Sequence, residues 1–456
     1  MREGRLTPAP TLPPGPSTLL PGPSTLPPGA STLPPGPRGG RFSGTRPEYA
    51  ADPLSFLVRC AAEYGDVVRI APSNYLVVHP RDIATVLVDR QGAFVKIRPG
   101  VRRRSHAGFP RAMMNSEGDD WRVKRQRLSP AFAREQVLRH AGAVEEETSR
   151  AVASWQQGQV IDVHQAMSDL TLRIGTRALL GAPLGDGAAA VKAAVDAIMR
   201  LTATPFRFPA WVPTPTNRQL ARSLGRLDGL LGSLVENADA GRQERNALAL
   251  LLDEDPALSA AAVRDELATL IMSGYETTAD ALTWTLYLLG THPQLEARLR
   301  QSLADEDEPS LLDAVLKESM RLYPPAWVTS RVAVKESRLG DFDVPAGTTV
   351  AVSQWVTHRD GRWYPDPERF LPERWFGEPP PRHAFIPYGS GPRACIGAAL
   401  ATQELAGILR CLLRKTRLSL VGADAVRPRP ALALQPLGVR ARVDDTRGGR
   451  PGPQAL

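Results

Sequence analysis

Cysteine is scarce in this chain: three among 456 residues, at Cys60, Cys395 and Cys411. Three cannot build a disulfide framework, so a reducing compartment, the cytoplasm, is expected. Long apolar runs are also missing. No stretch of roughly 18 uncharged apolar residues occurs, which excludes a spanning helix. Prolines interrupt every apolar run near the N-terminus, which excludes a signal-peptide core. Aromatics make up only 6 % of the residues. The net charge of +8 is spread widely, with short basic runs at 102–104 and 122–127 and no stacking module beside them. A nucleic-acid partner is therefore not expected.

Proline is the abundance that stands against these absences, with 43 residues. Residues 11–38 are four tandem heptads, TLPPGPS, TLLPGPS, TLPPGAS and TLPPGPR. Proline this dense favours extended polyproline II and cannot bury enough surface to fold by itself. The expected organisation is a disordered leader over 1–45, a folded domain over 46–443 and a loose tail over 444–456. The leader is either a bare disordered segment or a docking segment for a proline-recognition domain.

Within the folded part, a helix is predicted from Asp52 to Tyr64, followed by paired strands at 66–70 and 75–78. Helical patterns dominate from about 119 to 323. The longest covers 259–291, stops at His292-Pro293 and would be roughly 50 Å long. Beyond 324 prolines multiply, short strands appear, and a last helix follows Cys395. The fold class is mainly α with small β-sheets in a single large domain, expected to act as a monomer.

The most informative run is Tyr388-Gly389-Ser390-Gly391-Pro392-Arg393-Ala394-Cys395-Ile396-Gly397. A lone cysteine before a helix is usually a small buried hydrophobe. Here glycines permit close backbone approach to a flat ligand, and the following helix aims free N–H groups at the sulfur. That helix end favours a thiolate, which serves as an iron ligand or a nucleophile, and Arg393 adds a fixed positive charge that could meet a carboxylate.

Three further constellations stand out. Ser273-Gly274-Tyr275-Glu276-Thr277-Thr278 is a polar knot in an apolar helix. Thr277 is one turn from Ser273, so its hydroxyl can bond the Ser273 carbonyl and open the helix locally. Glu276 followed by Thr277 is the acid–alcohol pair that proton delivery needs. Thr269, Ser273 and Thr277 share one helix face and are expected to line a pocket. Glu318 and Arg321 are three residues apart on a helix and face the same way. Trp121 and Arg125 are four apart and offer only donors, which suits a carboxylate.

Together these motifs, in this order, resemble the cytochrome P-450 family over about residues 46–443. The resemblance implies the cytochrome P-450 fold, haem b (iron protoporphyrin IX) and Cys395 as axial thiolate ligand. It also implies Trp121, Arg125, Arg393 and Arg331 on the haem propionates. Glu276 and Thr277 would serve oxygen activation, with Ser273 where Ala or Gly is usual. Glu318 and Arg321 would form the scaffold behind the cysteine loop with a third charge, for which Arg369 and Arg374 are the candidates and spacing to Cys395 favours Arg374, with Trp375 in place of the usual Phe. Ala326, Trp327 and Val328 would line the substrate pocket, which Trp327 would shorten. Residues 109–114 and 205–211 would be the loops over the haem and the pocket.

The expected activity is insertion of one oxygen atom of O2 into an apolar small molecule: a fatty acid, terpene or polyketide. Electrons would come from a ferredoxin and its NAD(P)H-dependent reductase, with Arg122, Lys124 and Arg127 facing that acidic partner. The alternatives are a non-catalytic haem-thiolate redox or gas sensor, or a peroxide-driven oxygenase. The intact Glu276-Thr277 pair argues against both.

Overall fold

One helix, Ala260–Thr291, organises the molecule. Its 32 residues span roughly 48 Å at 1.5 Å per residue. Ser259 caps its start by accepting from the Ala262 N–H. It ends at His292, and Pro293 opens the next helix at the position where a missing N–H costs nothing. Buried residues lie on nearly all its sides, Leu267, Ala268, Ala279, Leu282 and Trp284 among them. The Trp284 indole donates to the Leu434 carbonyl at 3.0 Å and stacks on Tyr323 with ring centroids 3.9 Å apart. A buried indole needs such a partner for its N–H.

This computed structural model describes residues 33–39, 45–96, 109–181, 184–203, 208–209, 211–236, 246–252, 258–305 and 309–445. Helices Val163–Leu180 and Pro309–Leu322 flank the central helix, and Ala398–Lys415 packs behind it. A five-stranded sheet runs in the spatial order 67–71, 74–77, 349–352, 329–333, 94–95. All its pairs are antiparallel except Asn74–Val77 with Thr349–Val352. A second sheet joins Val160–Asp162, Arg440–Asp445 and Arg417–Val421. A two-stranded ribbon, Arg427–Pro430 with Leu434–Leu437, runs beside the central helix. Mainly α with small sheets is thus the observed architecture. Among the described residues, no helix is long and apolar enough to cross a membrane.

The folded part starts earlier than position 46. Pro34 is buried, and the Pro35 carbonyl accepts the Arg69 N–H of the first strand at 2.8 Å. A Cβ on Gly36 would sit 2.1 Å from the Arg69 carbonyl oxygen, so the approach requires glycine. Residues 33–38 of the last heptad are therefore part of the fold, because an extended chain finds its backbone partner on the strand. The first three heptads and the tail beyond 445 lie outside the described residues.

Candidate functional site

The cysteine loop is shaped by two glycines with positive φ, Gly389 at 72° and Gly391 at 73°. A Cβ on Gly391 would lie 2.1 Å from the Leu87 carbonyl oxygen, so this turn rests directly on another helix. The Cys395 N–H donates to the Tyr388 carbonyl at 2.9 Å, and Gly397 precedes the helix that begins at Ala398. Tyr388 spends its hydroxyl on Thr402, 3.0 Å away.

Of the three free cysteines, Cys395 is exposed, whereas Cys60 and Cys411 are buried. Cys411 lies within the helix with its Sγ 3.6 Å from Ser149 Oγ. Protein atoms nonetheless crowd the Cys395 sulfur, and this burial pushes its thiol up. The Gly397 N–H and the Arg125 charge oppose the shift without overcoming it. The expected pull of the helix end toward the thiolate is present through the Gly397 N–H, but burial outweighs it. A bound metal cation is what would restore the thiolate.

Cationic side chains converge near this loop from separate segments. Arg125 donates to the Ala394 carbonyl at 2.9 Å. Arg393 lies over the Trp121 ring at 4.5 Å and pairs with Glu117 at 2.6 Å. Arg331 is buried on strand Thr329–Ala333, and its hydrogen bonds reach Thr329 and Ser330 on its own strand. No ion-pair partner for Arg331 occurs among the described residues. Burial, with Arg393 beside it, lowers the Arg331 pKa. Lys96 completes the group. Its ammonium donates to the Met114 carbonyl at 3.0 Å, and burial with Arg393 and Arg331 pushes its pKa down to about 8. Glu117 answers Lys96, Arg331 and Arg393, and Asp89 adds a weaker charge on Arg331; cations still outnumber these carboxylates, so the cluster has room for further negative charge, as two propionates would supply. Lys96 escaped the sequence reading because a single lysine after a short strand carries no local signal.

On the central helix, Ser273 and Gly274 are exposed although their neighbours Ile271 and Tyr275 are buried. Exposure in the middle of a core helix marks an internal opening. Ile396, beside the cysteine, packs in the same apolar cluster as Met272, Trp121 and Phe132, so this opening and the cysteine loop share one region. Thr269, Ser273 and Thr277 each donate to the carbonyl one turn back, Thr277 to Ser273 at 2.9 Å. The hydroxyl bonds match expectation. The expected local opening does not occur: the helix stays α-helical throughout, since each carbonyl accepts the hydroxyl in addition to its N–H. Thr269 is 8 % exposed and offers the cavity little. Glu276 is also buried, bonded to Gln435 at 2.6 Å.

Behind the loop, Glu318, Arg321 and Arg374 meet as the motif spacing predicts. Arg321 is fully buried and uses all its donors: Glu318 twice at 2.8 and 2.9 Å, then the carbonyls of His358, Pro367 and Arg369. Arg374 reaches Glu318 at 2.9 Å. Arg369 is exposed and pairs with Asp366 instead. Burial raises the Glu318 pKa, but its two arginines and the Leu371 N–H outweigh that and hold the carboxyl below its ordinary value. Such a cluster specifies geometry more than it stabilises.

Two expectations fail. Trp327 is 5 % exposed, belongs to the main core and donates to the Ala431 carbonyl at 2.9 Å, so it does not wall off a pocket. Its neighbours Ala326, exposed, and Val328, half-buried, keep free surface. Lys124 does not face a partner either: it is buried, with its ammonium on Ser116, the Arg111 carbonyl and Asp120. The polar atoms of the preceding loop draw it inward, while Arg122 stays exposed beside Asp119. Phe208 and Trp211 are exposed, and positions 205–207 and 210 of the expected lid lie outside the described residues.

The family model "Cytochrome P450" matches residues 34–440. The chain is 32 % identical over 394 residues to a cyclooctat-9-en-7-ol 5-monooxygenase of Streptomyces melanosporofaciens, covering 80 % of this chain and 85 % of that protein. It is 31 % identical to a pentalenene oxygenase of Streptomyces avermitilis, covering 82 % and 89 %. A six-coordinated cytochrome P450 of Thermus thermophilus superposes with a TM-score of 0.71 at 26 % identity, covering 86 % and 98 %. A retinoic acid-bound cyanobacterial cytochrome P450 shares the fold, with a TM-score of 0.79 at 22 % identity over 91 % of this chain and 100 % of that one. The chain belongs to the cytochrome P450 family, as a monooxygenase that carries haem on a cysteine thiolate.

Proposed function

We propose that this monooxygenase hydroxylates a polycyclic terpene, with Cys395 as the axial ligand to the haem iron. The observation that carries the ligand assignment is that Cys395 is exposed at a loop ringed by cations, while Cys60 and Cys411 are packed away. The terpene class rests on the names of the two Streptomyces relatives and on an opening lined by apolar residues and a few hydroxyls.

When bound, the haem would supply a redox-active iron at which O2, two electrons and two protons yield the hydroxylated substrate and one water. The chain's own residues have separable tasks. Arg125, Arg331, Arg393 and Lys96, with the Trp121 indole, hold and orient the two propionates. Glu318, Arg321 and Arg374 fix the backbone behind the cysteine. Ser273 and Thr277 present hydroxyls to the cavity, and Glu276 stores the proton that Thr277 passes on. Ala326 and Val328 border the substrate. Electrons come from a separate ferredoxin and its NAD(P)H-dependent reductase, docking beside Arg122. The working form is a cytoplasmic monomer, in keeping with three free cysteines.

The test is the carbon monoxide spectrum of the reduced holoenzyme. Cys395→Ala should lose the thiolate-type band and Cys411→Ala should keep it. Retention of the band by Cys395→Ala sinks the assignment. A panel of terpene hydrocarbons, screened for displacement of iron-bound water by its spin-state change, should yield ligands where fatty acids do not.

A further inference from the structure

Glu276 is anchored in a cluster that the acid–alcohol pair alone does not explain. Its Oε1 accepts from Gln435 and lies 3.6 Å from the Nε2 of His164. Its Oε2 has the Ser168 hydroxyl at 3.5 Å. The same His164 Nε2 lies 3.0 Å from Oδ1 of Asp280, one turn further along the central helix. His164, Glu276 and Asp280 thus place one ligand atom each within 4.8 Å of one another. Only His164 reaches solvent: its side chain is 24 % exposed, against 5 % for Glu276 and 0 % for Asp280. The second Asp280 oxygen is buried and has no hydrogen-bond partner among the described residues.

The charge balance is unusual. No lysine or arginine ion-pairs with either carboxylate among the described residues. Arg429 binds the Gln435 carbonyl oxygen at 3.0 Å and so polarises the amide that donates to Glu276. Asp162 caps the His164 helix by accepting from the Gln165 N–H and adds a third negative charge near the ring. Burial pushes Asp280 up to about 7, with Glu276 adding to the shift and His164 opposing it. Burial lowers the His164 pKa, but Asp280, Glu276 and Asp162 outweigh that and raise it above the ordinary value. Two buried acids thus share one imidazole, and the group touches water at the imidazole end only.

We propose that His164 is the solvent-side proton donor to Glu276, with Asp280 holding its ring in place. This rests on reading Glu276 and Thr277 as the proton-delivering pair. The Nε2–H rests on Asp280 at 3.0 Å with Glu276 Oε1 at 3.6 Å; when a small ring movement closes that gap the Nε2–H bond breaks as an O–H bond forms on Oε1, and Nε2 regains a proton from bulk water once the ring turns its free nitrogen to the exposed side. No electron moves. Protonation removes the charge that makes the Gln435 hydrogen bond strong, so the Glu276 side chain is released and can turn toward Thr277, its neighbour in sequence. His164 acts through Glu276 and touches neither substrate nor haem.

The test uses His164→Gln, which keeps a hydrogen bond to Asp280 but cannot titrate, and Asp280→Asn. The holoenzyme is reduced by NAD(P)H through a plant-type ferredoxin and reductase, and the fraction of consumed O2 recovered as hydrogen peroxide is followed against pH. Ring resonances of the seven histidines are followed by NMR over the same range. In the native protein the peroxide fraction should rise as pH climbs through the His164 midpoint. In His164→Gln it should be raised at least about threefold at neutral pH and lose that pH dependence, with the carbon monoxide spectrum unchanged. Asp280→Asn should lower the His164 midpoint and move the peroxide limb by the same amount, which a helix-pinning role would not do. An unchanged peroxide profile in His164→Gln with the spectrum intact overturns the proposal. Should His164→Gln fail to fold, a native His164 resonance that Glu276→Gln leaves unmoved overturns it equally. A native protein without the thiolate-type spectrum would instead refute the functional reading beneath it.

Discussion

The indole nitrogen of Trp375 donates to Oε2 of Glu318 at 3.0 Å. The usual Phe could not do this. Glu318 also accepts from Arg321, Arg374 and the Leu371 N–H, so its buried charge is answered on both oxygens. Trp375→Phe leaves a fully buried carboxylate one donor short and should cost about 1–3 kcal/mol. Arg374→Leu removes a charge partner and should cost about 3–5 kcal/mol. Denaturant unfolding of the holoenzyme, with haem retention followed in parallel, checks both values and their order.

Gly36 belongs to a repeat that looks dispensable, yet it touches Arg69 backbone. Gly36→Ala forces the Pro34–Pro37 segment off the first strand and should destabilise by about 1–3 kcal/mol through the lost hydrogen bond and contacts. Removing residues 1–31, which leaves the docked heptad, should change the melting temperature little. Equal effects from both variants would refute the docking.

Arg331 is a buried guanidinium without an ion-pair partner among the described residues, and Lys96 is its cationic neighbour. If propionates complete the cluster, Arg331→Gln should speed haem transfer to apomyoglobin about tenfold, the equivalent of one lost charge-assisted hydrogen bond. Lys96→Met should act in the same direction. An unchanged transfer rate in both variants would remove these residues from the haem seat.

Glu404 is buried on the cysteine helix, and its Oε1 has no partner among the described residues. Burial pushes its carboxyl up to about 8. Its folded pKa is therefore above the ordinary 4.5, so its contribution is full below that value and is lost as pH rises toward 8. Glu404→Gln should remove this slope and be the more stable protein at pH values above about 8, by a few kcal/mol at roughly 1.4 kcal/mol per unit. Unfolding free energies from acid to alkaline pH decide it. Parallel curves for the two proteins would mean that Glu404 finds a partner in solution.

Much of the site was legible because its chemistry is written locally. The glycines around Cys395, the three-residue spacing of Glu318 and Arg321, and Thr277 one turn from Ser273 are relations along a few residues. Misreadings fell where orientation mattered. Trp327 turned into the core and Lys124 into the loop before its helix, because each found a carbonyl acceptor there that no spacing rule announces. The polar knot at Ser273–Thr278 suggested a broken helix, but the hydroxyls shared carbonyls with the N–H groups and left the ladder whole.

The amino-acid sequence by itself determined the helical class, the cysteine loop, the acid–alcohol pair and the Glu318–Arg321 pair, since short-range periodicity and rare residue types specify them. Only the tertiary structure decided that Lys96 joins Arg331 and Arg393, that Gln435 clamps Glu276 across 159 positions, and that His164 links Asp280 to water. Those contacts arise when helices and ribbons pack, and side chains that meet across such distances leave no pattern in the stretch of chain around either of them.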